Sequence, residues 1–270
     1  MQKEWRYFLL AVGFFTRIPV PSFADFQEAE LNHSVKYFPL VGLLVGFIGA
    51  LSFYLASLIL PQTIAVLISM AATIYATGAF HEDGLADSAD GMGGGWKREQ
   101  VLAIMQDSRL GTYGAAALFF VLMAKFQLLT AMHSDMVLLA LICGHALSRL
   151  CAVWLMRALP YVKSSGKSKP LATQVSTHSL WTANLFGLLP LIILIGLIFV
   201  ATSGYWQMVV LYVLLVFIAV GAAWYWWYCM LVRKLGGYTG DTLGAMQQMT
   251  EIAFYLASLV WLQFLGNLSA

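Results

Sequence analysis

Four carboxylates fall close together in an otherwise apolar chain: Glu82, Asp83, Asp87 and Asp90. They belong to the run His81-Glu82-Asp83-Gly84-Leu85-Ala86-Asp87-Ser88-Ala89-Asp90-Gly91, and Gly93-Gly94-Gly95 follows. Carboxylates this near repel one another. They coexist when solvated, partly protonated or bound to a cation. With only 13 acids among 270 residues, this cluster is where chemistry is expected. Asp83, Asp87 and Asp90 are spaced by four and three residues, which places them on one face of a helix. Hard oxygen ligands of this kind suit magnesium, which takes one or two carboxylates plus substrate phosphates; a calcium cage fits less well. The plainer alternative is a helix end whose acids cap its neighbour. Four acids with several glycines exceed what capping needs.

Two further polar patches could join that cluster. Asp107-Ser108-Arg109-Leu110-Gly111-Thr112-Tyr113-Gly114 offers another acid, and an arginine able to grip a phosphate bidentately. An N-cap with a turn is its bland reading. Gly236-Gly237-Tyr238-Thr239-Gly240-Asp241-Thr242-Leu243-Gly244 sets one acid among glycines whose backbone could cradle phosphate; an ordinary interhelix loop is the alternative. Lys125, His145 and Arg149 fall inside apolar stretches, and Glu251 begins the last one. Charges at such depth line a polar cavity or pair with one another. Trp224, Tyr225, Trp226, Trp227 and Tyr228 read as an interfacial aromatic belt, with stacking on a flat ligand as the sharper option.

The elements that must position these residues are membrane helices. The chain is 60% hydrophobic and 10% charged, whereas soluble domains carry roughly 25% charged residues. A net charge of +2 without a basic run excludes nucleic acid as a partner. Cys143, Cys151 and Cys229 have no metal-ligand spacing and read as reduced packing residues. Apolar stretches of spanning length occur at about 40–60, 62–82, 113–133, 136–157, 184–203, 206–230 and 248–266. Residues 4–18 are apolar but too short to span. They predict an interfacial or re-entrant helix and no cleavable signal. When the connections are assigned alternately to two sides, 13 of the 15 Lys and Arg fall on one side, and Lys125 and Arg149 lie within spans. By the positive-inside rule the N-terminus and the acidic cluster face the cytoplasm. The expected fold is therefore all-α: one polytopic bundle over 1–270, with about seven transmembrane helices and an N-terminal cytoplasmic or interfacial segment over 1–39. The basic stretch 163–179 is expected to be a flexible loop, with a substrate clamp as the alternative.

Taken together, the motifs resemble the adenosylcobinamide-GDP ribazoletransferase (cobalamin synthase) family. The matching pieces are Phe15-Thr16-Arg17-Ile18-Pro19-Val20-Pro21, His81 to Gly91, Asp107 to Gly114, Gly144-His145-Ala146-Leu147-Ser148-Arg149, and Gly237 to Ala245. The resemblance implies a multi-pass inner-membrane enzyme of late cobalamin synthesis. It would join adenosylcobinamide-GDP to α-ribazole or its 5′-phosphate, release GMP and require Mg2+. Asp87-Ser88-Ala89-Asp90-Gly91 also echoes half of the CDP-alcohol phosphotransferase signature. The Ala-Arg and second Asp pair of that signature are missing.

On this reading Glu82, Asp83, Asp87, Asp90 and Asp107 hold the metal, and Arg109, Arg149 and Lys125 meet phosphate. Asp241, His81 and His145 remain alternatives for the base, with Asp241 also a further ligand. Substrates, the bilayer, and either a second copy or other cobalamin-pathway enzymes are the expected partners. Rival readings are another membrane transferase acting on a CDP-alcohol or prenyl diphosphate, and a transporter. The latter is disfavoured because no internal repeat is visible and the acids sit at a span edge.

Overall fold

The computed structural model describes residues 2–23, 27, 29–162 and 173–269. The expectation for the 163–179 loop falls largely outside them. The described residues form eleven α-helices: α1 (Gln2–Phe15), α2 (Ala29–Ser34), α3 (Phe38–Ser57), α4 (Gln62–Thr77), α5 (Phe80–Gly94), α6 (Arg98–Met105), α7 (Thr112–Thr130), α8 (Ser134–Ala158), α9 (Thr177–Ala201), α10 (Trp206–Lys234) and α11 (Gly240–Ser269). No strand occurs among them. A single bridge joins Tyr161 to Tyr238. In lipid every backbone N–H and C=O must be satisfied within the chain, and a helix does this locally. Six helices are long and apolar enough to cross a membrane; with the bent pair α4–α5 counted as one, there are seven.

α8 is the axis of the bundle. Of its most apolar window 83% is buried, against 17% for α7 and for α10. α3, α9 and α11 pack directly on it, α4 lies against α3, and α10 lies against α11. Outward side chains such as Phe119, Phe120, Ile192, Ile193, Phe217 and Ile218 are exposed, as lipid-facing residues are. Lipid is as apolar as leucine, so close packing and internal polar contacts, more than hydrophobic burial, hold such helices together. The buried polar side chains described below therefore bear on the fold as well as on chemistry.

α1 is short and amphipathic. It turns Ala11, Val12 and Phe15 inward and leaves Trp5 outside. Phe15 packs edge-on against Phe38 and Phe80 and stacks on His81. The aromatic run divides by helical rotation. Tyr225 and Trp226 face outward, whereas Trp227 is buried and donates to the Thr242 carbonyl at 3.0 Å. Trp224 stacks on Tyr228 and donates to the Cys151 carbonyl. Cys143 and Cys151 are buried free thiols, and Cys229 is an exposed one.

Two of the sequence boundaries that move bear on the site. The second span was expected to run to residue 82, but α4 stops at Thr77. Gly78 and Ala79 both adopt left-handed backbone, with φ of 65° and 58°. A Cβ on Gly78 would also stand 2.5 Å from Arg17 Nε. The chain bends there by 85°, which separates a crossing helix, α4, from an acidic helix, α5. Past the bend, α5 packs on α11 and α7 at the end of the bundle where α7 begins. The last span was expected to begin near 248; it begins at Gly240, so the stretch 231–247 is mostly helix around a tight turn.

The described parts of the polar connections meet at that one end. Gln62, at the start of α4, donates to the carbonyls of Thr130 and Met132 at the close of α7, so the opposite end gathers the close of α4 and the start of α7. There Arg17 N donates to Ala76 O at 2.8 Å. Val162 N donates to Tyr238 O at 2.8 Å and Tyr238 N donates to Pro160 O at 3.0 Å, across the α8 and α11 connections. Lys234 Nζ donates to Gly95 O at 2.8 Å, tying α10 to the end of α5.

Candidate active site

The site is built on α5 and the first turns of α11. The turn before α11 caps that helix by itself. Thr239 N donates to Thr242 Oγ1 at 2.9 Å, and Thr242 N donates back to Thr239 Oγ1 at 3.3 Å. This reciprocal pair satisfies amide groups that a helix start leaves free. It fixes Asp241 in the first turn, where the helix dipole favours a carboxylate.

α5 lies unusually close to this turn. A Cβ on Gly84 would stand 2.8 Å from the Asp241 carbonyl oxygen, and one on Gly244 would stand 3.1 Å from the His81 carbonyl oxygen. Two glycines, one from each helix, thus let the backbones touch. Asp241 is thereby brought beside the acidic face of α5. Asp83 is exposed, and Asp87 and Asp241 are partly buried. Among the described residues no ion pair joins any of the three to a cation. Asp87 registers the crowding: burial, then the charges of Asp83, Asp241 and Asp90, raise its carboxyl from 3.8 to about 7.

Asp90 is used differently. Its carboxylate accepts from Gly111 N at 2.7 Å and from Gly114 N at 2.9 Å. It is buried and serves as the cap of α7. The capping alternative weighed for the cluster thus applies to this one acid. Asp107 and Arg109 pair with each other, Nη2 to Oδ2 at 2.5 Å, with Arg109 87% exposed. The Arg109 guanidinium holds the Asp107 carboxyl down at about 2. The described contacts do not link Asp107 to Asp83 or Asp87.

Of the three charges inside the spans, Lys125 and His145 meet on Glu251, which is fully buried, and Arg149 joins them through His145. Lys125 Nζ lies 2.9 Å from Glu251 Oε1, and His145 Nδ1 lies 3.3 Å from Oε2. Tyr255 Oη donates to Oε1 at 3.0 Å, and Gln247 donates to Oε2. Arg149 Nη1 lies 3.2 Å from His145 Nδ1 and donates to the His145 carbonyl at 3.0 Å, while its Nε has no partner. Of the three alternatives for a base, His145 is held in this interior group. His81 is buried under Phe15. Asp241 stands at the acidic edge. Gln247, Gln248 and Tyr255 were not singled out from sequence. Two adjacent amides followed by Glu251 in a stretch of spanning length were the signal available for them.

The donor set accommodates a hard divalent cation. Asp83, Asp87 and Asp241 supply carboxylate oxygens that pair with no cation among the described residues, and Glu82 Oε2 is buried without a partner. Among the described residues no three His, Cys, Asp or Glu side chains stand close enough to ligate one ion by themselves. Magnesium fits that arrangement, since it keeps waters and takes substrate phosphates alongside one or two carboxylates.

A helical bundle crossing a membrane several times, with a crowded acidic edge at one end, defines a polytopic membrane protein of enzymatic type. Over residues 7–259 the chain matches the family model CobS, cobalamin-5-phosphate synthase, and it belongs to that family. It is 46% identical over 263 residues to the adenosylcobinamide-GDP ribazoletransferase of Shewanella frigidimarina (strain NCIMB 400), covering 95% of each chain. It is 42% identical over 266 residues to that of Ralstonia pickettii (strain 12J), covering 97% of this chain and 98% of the relative. No solved structure matches it. The chain is accordingly a transferase of cobalamin biosynthesis.

Proposed function

We propose that this transferase joins adenosylcobinamide-GDP to α-ribazole, or to its 5′-phosphate, and releases GMP with Mg2+ as cofactor. The observation that carries the reading is the juxtaposition of Asp83 and Asp87 with Asp241 through Gly84, with no cation paired to them among the described residues. Asp83 and Asp87 would hold the ion, whose bound charge offsets that of the diphosphate. Arg109 sits exposed one turn before α7, where it can swing from Asp107 onto a phosphate oxygen. Asp241 accepts the ribazole hydroxyl proton. The ribazole oxygen bonds to the corrinoid-side phosphorus, the bond from that phosphorus to the bridging oxygen breaks, and GMP departs. Lys125 and His145 support the bundle from within, because Lys125 Nζ and His145 Nδ1 are engaged by Glu251. The positive-inside pattern supports a site facing the cytoplasm of an inner membrane.

Purified protein in nanodiscs, given adenosylcobinamide-GDP and α-ribazole, tests this. GMP formation that depends on both substrates and stops with EDTA is the expected result. Undiminished turnover in EDTA removes the metal, and no GMP under any condition removes the reaction.

A further inference from the structure

Gln248 lies between a group that can only donate and a group that can only accept. Its Oε1 takes a hydrogen bond from Lys125 Nζ at 3.0 Å, and its Nε2 donates to Glu82 Oε1 at 2.9 Å. Both neighbours are charged, so the amide orientation is dictated. Lys125 also holds Glu251 Oε1 at 2.9 Å, one turn along α11 from Gln248. Lys125 is on α7, Gln248 and Glu251 are on α11, and Glu82 is on α5. These are the helices whose outer ends carry Asp90 with its cap, Asp241, and Asp83 with Asp87. Gln248 Nε2 thus engages Glu82 Oε1, while Glu82 Oε2 is buried without a partner.

We infer that Lys125, Gln248 and Glu82 form a strut that sets the acidic helix α5 against α11, with Gln248 as a positioning residue for the cation site. The inference rests on the reaction proposed above. It assigns Glu82 to the strut rather than to the metal. Small shifts matter here because α5 and α11 already touch backbone to backbone at Gly84 and Gly244. A displacement of about 1 Å in a site of this kind costs roughly a hundredfold in rate.

The test compares Gln248→Met, Glu82→Gln, and the double variant Glu82→Gln/Gln248→Glu, in nanodiscs. The double variant keeps the chain from Lys125 through 248 to 82 and reverses the polarity of its last hydrogen bond. Mn2+ binding by electron paramagnetic resonance in the presence of adenosylcobinamide-GDP, the Mg2+ concentration for half-maximal GMP release, and the melting temperature without metal are measured for each.

Each single variant is expected to weaken Mn2+ binding at least tenfold and to raise the Mg2+ requirement in step. The double variant is expected to recover both to within about threefold, as coupled partners do in such a cycle. A double variant that melts like wild type but still fails to bind Mn2+ overturns the strut, because Glu82 would then serve the metal directly. Single variants that only melt earlier, with Mn2+ affinity unchanged, overturn it too. If the wild type binds Mn2+ but releases no GMP, the proposed reaction falls while the comparison of Mn2+ affinities still decides the strut. If the wild type binds no Mn2+, both fall.

Discussion

Gly84 on α5 lies against the backbone of Asp241 on α11, so closely that a single added methyl group would stand 2.8 Å from the Asp241 carbonyl. The nearest atoms are backbone and cannot rotate away. Gly84→Ala should therefore push the two helices apart, separating Asp241 from Asp83 and Asp87. Overpacking of this kind costs about 1–3 kcal/mol. GMP release should fall on the order of a hundredfold, with the protein still in the membrane. Melting curves and turnover on the purified variant check this; an active Gly84→Ala enzyme would refute the juxtaposition.

Asp87 makes cation binding depend on pH. Its carboxyl is raised from 3.8 to about 7, so metal-free protein keeps a proton there that the unfolded chain has lost. The stabilisation this provides is full below about 3.8 and is lost as pH rises through about 7. A cation must displace the same proton. Mn2+ affinity should rise roughly tenfold per pH unit below about 7 and level off above it. Asp87→Asn should abolish that slope, lower GMP release by about a hundredfold or more, and stabilise the metal-free protein at pH 8.

Asp90 should behave as a cap. Asp90→Ala strands the amides of Gly111 and Gly114 and should cost about 1–3 kcal/mol. Asp90→Asn can still accept one of the two bonds and should lose about half as much. Thermal unfolding measures the loss. Unchanged melting together with lost Mn2+ binding would instead make Asp90 a ligand.

Arg109 and Asp107 form an exposed pair, and exposed pairs contribute little to stability. Arg109→Ala should leave the melting temperature unchanged and raise KM for adenosylcobinamide-GDP roughly tenfold. Arg109→Lys should restore only part of this, since it lacks the fork that grips a phosphate bidentately. Steady-state kinetics at saturating Mg2+ separates these outcomes.

Trp96 is 89% exposed just beyond α5, which makes it a marker of sidedness. In a cysteine-free background, Trp96→Cys should react with a membrane-impermeant maleimide in inside-out vesicles and not in right-side-out ones. The opposite pattern would reverse the proposed orientation.

Much of this was legible in the chain. Seven apolar stretches, a short apolar start and an acidic run after the second stretch can be read locally. Hydropathy is a local property, and a helix satisfies its own backbone in lipid. The spacing of Asp83 and Asp87 likewise places them on one face without reference to the rest of the fold. Lys125, His145 and Arg149 were visible as charges needing partners, but the partners were not. Glu251 meets Lys125 and His145 only through the rotation and axial register of α7, α8 and α11.

The same physics divides the acids. That carboxylates cluster at one end of a membrane bundle was determined by sequence alone. That Asp241 joins Asp83 and Asp87, that Asp90 is taken up by the amides of Gly111 and Gly114, and that Glu82 is bound to Gln248 was decided only in the tertiary structure. Those pairings depend on an 85° bend at Gly78 and Ala79 and on the close approach of α5 to α11. Contacts between residues far apart in the chain are set by how whole helices pack, and no local pattern encodes them.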